Sequence, residues 1–240
     1  MPEAGFRVKL FFLFSFKYYF ESRNSPFETQ SFACYRIMKK LILPVSISLA
    51  LVLLFLSTQL YPGGSQKDPN AAGFDWGNNY LCNLFNATGI NGGPNPGRFW
   101  GIAGMFFLCF GLAWFFYGIG EKITSGRPAK IIRYSGTASM CFAFFVVTPY
   151  HDTATTAASI LAMLALFYLT VFSFRSRLLL LKVISSLGLL LLYVNNYVYY
   201  TQHFLEYLPV LQKLGFLSIL SWMVMLEYYA TPEDFPKGDS

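Results

Sequence analysis

The chain has 240 residues, of which 55% are hydrophobic, 19% aromatic and only 12% charged. A soluble domain usually carries about 25% charged residues, so this composition argues against an ordinary soluble fold and predicts a membrane protein. The formal net charge of +6 does not indicate nucleic-acid binding, because the basic residues stand singly or in small groups between long apolar runs. The sequence has no Walker loop, dinucleotide-binding glycine pattern or CxxC pair. We therefore predict neither a nucleic-acid partner nor a bound cofactor.

The first 37 residues differ from the rest, because they mix charged and aromatic side chains without an uninterrupted apolar run. Met38 and two lysines then precede a long apolar run, as at the start of many bacterial membrane proteins. We therefore predict that residues 1–37 are an N-terminal extension that lies upstream of the true start, Met38. The alternative is a genuine amphipathic arm that lies on the inner leaflet and is held there by its basic residues.

Six apolar runs follow the extension. A helix needs about 20 apolar residues to cross a hydrocarbon core about 30 Å thick. The sequence predicts an all-α integral membrane bundle of six transmembrane helices over residues 38–230, with a cytoplasmic tail at 231–240. The predicted spans are 41–60, 99–119, 131–148, 155–174, 178–200 and 208–229.

The positively charged residues set the predicted orientation. They precede the first span, fill the turn between the second and third spans, and flank the turn between the fourth and fifth. The opposite loops contain only Lys67 and Arg98. The positive-inside rule then predicts a multi-pass protein of the cell inner (plasma) membrane with both termini in the cytoplasm.

The second span carries a stripe of glycines at Gly97, Gly104, Gly111 and Gly118, one every seven residues. Helices in lipid gain stability from close approach at small residues rather than from the hydrophobic effect. We predict that Gly104 and Gly111 form a helix-packing face, with small residues of the third and fourth spans as partners. Phe107 is expected on the lipid side of the same helix.

The long first loop, 61–98, is the least lipid-like part of the chain. Its central segment has polar residues at helical spacing on one side and apolar residues on another. This pattern predicts a short amphipathic helix over 75–86 that lies on the outer membrane interface with its apolar face down. The polar side contains Asp75, Asn79, Asn83 and Asn86.

Four motifs in and beyond this loop carry a family resemblance. They are, in chain order, YPGG, GFDWGNNYLCNL, GGPNPGRF and TPYHD. Over roughly residues 41–175 the chain resembles the bacterial membrane-protein family catalogued as domain of unknown function 998. The resemblance implies a multi-pass fold of about six helices and no particular reaction. The chain departs from the family pattern at Cys82-Asn83, where an acidic or serine residue is expected.

The two histidines of the chain both fall on the predicted outer side. Imidazole titrates near neutrality and binds metals, and a nearby carboxylate orients the ring. We predict a polar pocket on the extracytoplasmic face in which His151 lies within reach of Asp75 or Asn79. The alternative is that these are ordinary solvated or capping residues of turns. The candidate site residues are Asp75, Asn79, Asn83, His151, Asp152, His203 and Glu206.

Three classes of function stay open. The favoured hypothesis is a non-catalytic accessory or lipid-binding protein, with membrane lipid as its partner and no protein partner identified. The alternative is a membrane-embedded hydrolase or transferase acting on an outer-leaflet lipid. It could depend on a zinc ion held by His151, His203 and one carboxylate, although the sequence has no HExxH pattern. A transporter is least favoured, because no span shows the broken-helix pattern or midplane charge typical of that class.

Overall fold

The computed structural model describes residues 26–119, 122, 126–229 and 231, with side chains from residue 38 onward. The chain divides into two compact units, Met1–Leu41 and Ile42–Ser240. Most of the predicted N-terminal extension and of the cytoplasmic tail therefore lies outside the described residues. In the first unit, the described backbone is helical from Pro26.

The described residues form helices and no strand, which confirms the predicted all-α class. Three short 3-10 helices, Leu81–Phe85, Phe145–Val147 and Leu205–Tyr207, lie in the connections between the longer helices. The α-helices are α1 (Pro26–Gln59), α2 (Arg98–Ile119), α3 (Arg127–Phe144), α4 (His151–Arg175), α5 (Leu179–Thr201) and α6 (Leu208–Tyr229).

Five of the described helical segments are long and apolar enough to cross a membrane. They correspond to α1, α2, α4, α5 and to α6 with the turn before it. The segment α3 differs because it has only 18 residues and its first two turns hold Arg127, Lys130 and Arg133. Five of the six predicted spans are thus confirmed as capable of crossing by length and composition, and the protein is a multi-pass membrane protein.

Helices that follow one another in sequence pack as antiparallel neighbours. A Cβ atom built on Gly104 would lie 3.0 Å from Leu54 Cγ, and one built on Gly111 would lie 2.6 Å from Ser46 Cβ. Gly104 and Gly111 therefore pack against α1, and not against α3 and α4 as the sequence suggested. The reason is that α1 has the small residues Ser46 and Ala50 at the contact, so the backbones approach closely: the Cβ atom built on Gly104 would lie 3.1 Å from Ala50 O.

On its other side α2 contacts α3. A Cβ atom built on Gly136 would overlap the ring of Phe116, so this ring occupies the space beside the glycine. Nearer the start of α3, Arg133 Nε donates to Tyr117 O over 2.7 Å, and its guanidinium lies 4.6 Å from the centroid of the Tyr117 ring. These pairs run in opposite chain directions, so α3 is antiparallel to α2.

The core of the second unit lies between the helices, and the outer surface is apolar as well. Leu169, Leu181 and Trp222 are completely buried. The outward-facing residues Phe110 and Ile160 are 48% and 63% exposed. An apolar exterior around a packed interior is the arrangement expected for helices surrounded by lipid. Phe107, expected on the lipid side, is instead only partly exposed and packs against the core.

The first loop does not form the predicted amphipathic helix over 75–86. Asp75 Oδ1 accepts hydrogen bonds from the backbone of Gly77 and Asn78, at 2.9 and 3.1 Å, and so makes a tight turn there. The helical part is only the 3-10 helix Leu81–Phe85. Short polar side chains compete with helix formation by bonding to nearby backbone groups, which explains the difference.

Candidate functional site

A cavity of about 600 Å³ lies beneath the first loop. We call this end of the helical unit the loop end, because the first loop and the α3–α4 and α5–α6 turns all lie there. The cavity is lined by the first loop and by α1, α2, α4, α5 and α6. Its apolar lining includes Leu54, Met105, Leu108, Leu192, Phe216 and Ile219, and its polar lining includes Tyr80, His151, Asp152, Thr155, Ser159, Asn195, Asn196, Tyr199 and Gln212.

The inward faces of three helices supply most of the polar lining. His151, Thr155 and Ser159 stand four residues apart on α4, so they share one face. The α5 residues Leu192, Asn195, Asn196 and Tyr199 follow the same helical spacing, and so do four lining residues of α6. The four from α6 are Gln212, Gly215, Phe216 and Ile219.

The roof of the cavity is the segment 79–85 of the first loop. Its 3-10 helix contacts α2, α6 and the 3-10 helix Phe145–Val147. Two hydrogen bonds tie the roof to α6: Leu81 N donates to Gln212 Oε1 over 3.0 Å, and Lys213 Nζ donates to Asn79 O over 2.6 Å. The roof is therefore held by side chains that lie more than a hundred residues further along the chain.

A hydrogen-bonded trio stands at the edge of the cavity. His151 Nδ1 lies 3.0 Å from Asp152 Oδ1, and the same oxygen accepts a hydrogen bond from Tyr199 OH over 3.1 Å. The Asp152 side chain is 88% exposed, whereas that of His151 is 35% exposed. The trio thus joins α4 to α5 where the cavity meets solvent.

Six of the seven predicted site residues fall into three pairs. His151 and Asp152 line the cavity. Asn79 and Asn83 are buried within the fold of the first loop, where their amides donate to Gly64 O and Gln66 Oε1 over 2.9 and 3.2 Å. His203 and Glu206 are exposed in the α5–α6 turn and do not line the cavity.

Asp75 is the remaining predicted site residue, and its partners are local. Asn78 Nδ2 donates to Asp75 Oδ2 over 2.7 Å. This hydrogen bond, together with those from the backbone of Gly77 and Asn78, lowers the pKa of Asp75 although partial burial acts in the opposite direction. Among the described residues, no hydrogen bond joins His151 to Asp75 or Asn79.

Metal and thiol chemistry find little support in the described part of the chain. It contains no group of three His, Cys, Asp or Glu side chains placed to hold a metal ion. Cys82 lines the cavity, but burial raises the pKa of its thiol to about 11. At neutral pH this thiol is protonated and a poor nucleophile.

The sequence prediction missed several residues that shape the site. Thr155, Asn195 and Tyr199 bring polar groups to the cavity, and Lys213 holds its roof. Lys213 gave the clearest sequence signal, because it is a lone cation inside an apolar span and such residues are functional candidates. No motif marks the other three, which acquire their place only when α4 and α5 pack together.

No family model, curated protein or solved structure matches the chain. The resemblance to domain of unknown function 998 stays a prediction that rests on the four sequence motifs.

Proposed function

We propose that the protein is a non-catalytic, six-span membrane protein that binds one lipid molecule in the cavity at the loop end. The observation that carries this proposal is the cavity itself. Its volume of about 600 Å³ falls within the range of about 300–1,000 Å³ found for small-molecule sites. Its lining is apolar on α1, α2 and the inner part of α6, and polar near the turns. A lipid has the same division between acyl chain and head group.

The sixth crossing in this proposal is α3. Its 18 residues correspond to about 27 Å of helix at 1.5 Å per residue. The 3-10 helix Phe145–Val147 extends it further, and the sum is close to the thickness of a hydrocarbon core. The basic residues of α3 stand at the end remote from the loop end, where the cytoplasmic headgroups would surround them.

The same charge asymmetry supports an extracytoplasmic loop end. Lys122, Arg127, Arg175 and Arg177 lie at the other end of the helices. With both termini in the cytoplasm of a bacterial cell, the cavity would open at the level of the outer leaflet of the inner membrane. Its ligand would then be a lipid of that leaflet.

A second candidate function is hydrolysis or group transfer on such a lipid, and the trio of His151, Asp152 and Tyr199 favours it. Because Asp152 holds Nδ1 of His151, Nε2 is the ring nitrogen available for proton transfer. The described lining offers no activated nucleophile beside it, since no Ser, Thr or Cys side chain bonds to His151. Binding without turnover is therefore the preferred function.

A cavity-filling variant tests lipid binding. Leu192→Trp should displace the lipid, because Leu192 lines the cavity and an indole ring would occupy its volume. Leu190→Trp is the matched control, since Leu190 is on the same helix but 58% exposed on the outer surface. Native mass spectrometry of protein purified in mild detergent should show one bound lipid on the wild type and on Leu190→Trp, and loss of most of it from Leu192→Trp.

Equal lipid retention by all three proteins, or a wild type that carries no lipid, would contradict the proposal. The chemical state of the recovered lipid separates the two candidate functions. Intact lipid supports binding alone. Cleavage or transfer by the wild type that is absent from a His151→Ala variant would instead establish the second function.

A further inference from the structure

Two cavity-lining side chains have a buried polar atom without a hydrogen-bond partner in the described structure: Thr155 Oγ1 on α4 and Asn195 Oδ1 on α5. Buried polar atoms in folded proteins are nearly always hydrogen-bonded, so each exception calls for a partner. Both residues belong to the polar part of the lining. The shared feature points to a ligand that completes their hydrogen bonds.

The amide orientation of Asn195 is fixed by its neighbours. Its Nδ2 lies 2.9 Å from Leu191 O and 3.1 Å from Leu211 O, which links α5 to α6. Two carbonyl oxygens can accept only from the NH₂ group, so the amide cannot be flipped. The unpartnered atom is therefore an oxygen, and it requires a donor.

Thr155 differs from three other threonines of α4 and α5. The hydroxyls of Thr156, Thr170 and Thr201 each donate to the carbonyl four residues earlier, at 2.7–2.9 Å. The hydroxyl of Thr155 makes no such bond. It is thus free to donate to a ligand or to accept from one.

The charge of the lining restricts the head group further. Among the described residues that line the cavity there is no lysine or arginine, and the one carboxylate, Asp152, stands in the first turn of α4. Lys213, in the adjoining stretch of α6, does not line the cavity and already donates to Asn79 O and Pro209 O. Phosphate recognition normally relies on Arg, Lys or an unobstructed helix N-terminus. The described lining of this cavity offers none of these groups.

We propose that the cavity selects an uncharged lipid whose head group carries two free hydroxyls, of the monoacylglycerol kind, rather than a phospholipid. A hydroxyl of the ligand donates to Asn195 Oδ1, and another exchanges a hydrogen bond with Thr155 Oγ1. The acyl chain lies along the apolar lining of α2 and α6. This inference rests on the proposed function and specifies its ligand.

The test compares three probes that share one oleoyl chain: 1-monooleoylglycerol, methyl oleate and oleoyl lysophosphatidate. They offer neutral hydroxyls, no hydroxyl donor, and an anionic phosphate, respectively. The decisive variant is Thr155→Val, which keeps the shape of the side chain and loses no hydrogen bond within the protein. Thr156→Val is its matched control, because the Thr156 hydroxyl bonds to Asp152 O and Tyr200 OH and does not line the cavity.

Binding to the purified full-length chain, measured by native mass spectrometry titration, should be tightest for 1-monooleoylglycerol. Thr155→Val should weaken that binding roughly three- to tenfold, the effect of losing one hydrogen bond, and leave methyl oleate binding unchanged. Thr156→Val should bind all three probes as the wild type does. Thermal unfolding of both variants shows whether the fold is retained, and Thr155→Val should unfold no earlier than the wild type.

The possible failures are distinguishable. If none of the probes binds the wild type, the proposed lipid-binding function itself fails. If all three probes bind equally, or if Thr155→Val affects their binding equally, the cavity binds the acyl chain but does not distinguish between head groups. That result overturns this inference alone. Tighter binding of oleoyl lysophosphatidate would also overturn it.

Discussion

Lys213 is a charged side chain within an otherwise apolar helix, and its contacts show why it is tolerated there. Its ammonium donates to Asn79 O and Pro209 O over 2.6 and 2.8 Å and lies 5.9 Å from the centroid of the Phe74 ring. Buried charges are retained where other groups replace their hydration. The partners Asn79 and Phe74 belong to the first loop. The same contacts that stabilise this cation therefore also attach the roof to α6.

Removal of the charge should loosen the roof. In Lys213→Met the first loop loses one of its two hydrogen bonds to α6, and Cys82, which lies in the roof, should become more accessible. We expect alkylation of Cys82 by a membrane-impermeant maleimide at pH 8 to be slow in the wild type, because burial raises the pKa of the thiol to about 11. In the variant it should be several times faster, measured by peptide mass spectrometry.

Lys67→Met is the control for this prediction, since Lys67 is an exposed residue of the same loop. It should react at the wild-type rate. Equal rates in the wild type and Lys213→Met would mean that the roof is held without the lysine.

The candidate site was only partly predictable at the level of residues. His151 and Asp152 do line the cavity, because a turn that ends a span places polar groups at the boundary. The predicted contact with Asp75 or Asn79 depended on the first loop being a helix. The loop instead buries Asn79 to satisfy the carbonyl of Gly64. Hydrogen bonds to backbone groups within the loop determined its fold, although the polar residues have helical spacing. The periodicity of a sequence does not reveal such hydrogen bonds.

At the scale of a helix, the close contact between α2 and α1 is the feature most sensitive to substitution. Gly111→Ala should destabilise the protein by about 1–3 kcal/mol, because the added methyl group would overlap Ser46 Cβ and the helices would have to separate. Unfolding by titration with sodium dodecyl sulfate, followed by tryptophan fluorescence, would measure the change in free energy.

The same stripe provides the control. Gly118 belongs to α2 and follows Gly111 by seven residues, but a Cβ atom built there would meet no atom within 4 Å. Gly118→Ala should therefore be neutral, or stabilising by up to about 1 kcal/mol through better helix propensity. Similar losses at both positions would show that the contact with α1 does not determine the effect, because helix propensity alone would stabilise both variants.

Helix boundaries could be predicted closely from the sequence, whereas the neighbour against which each helix packs could not. The predicted second span, 99–119, matches α2 to within one residue, because a long charge-free apolar run can satisfy its backbone in lipid only as a helix. Which helix faces Gly104 is a separate question. Glycine spacing identifies a face for close approach, but several other spans also carry small residues. Which of these helices contacts Gly104 is decided only when α2 packs between α1 and α3.

At the scale of the whole molecule, the open question is the number of crossings. We expect alkaline phosphatase fused after Gly93, Tyr150 or Gln202 to be active, and fusions after Ser125 or Ser176 to be silent. The reason is that basic residues keep the turns at one end of the helices in the cytoplasm. Phosphatase activity in intact bacteria, normalised to the amount of fusion protein, gives the measurement.

The fusion pair that brackets α3 is the informative one. Opposite activities after Ser125 and Tyr150 would establish α3 as a crossing, and equal activities would leave five. A complete reversal of the pattern would place the cavity on the cytoplasmic side, with a lipid of the inner leaflet as its ligand.

The last helix has a consequence for the order of events during synthesis. Each of α2 to α6 packs on the helix made just before it, so most contacts are available as the chain emerges. The roof is different, because its hydrogen bonds to Gln212 and Lys213 join groups 131 and 134 residues apart. At the opposite end, Lys122 pairs with Glu227 over 2.9 Å. A ribosome must therefore finish α6 before the last wall of the cavity is in place and its roof is attached. If the cavity binds lipid as proposed, a nascent chain that stops short of α6 cannot yet bind one.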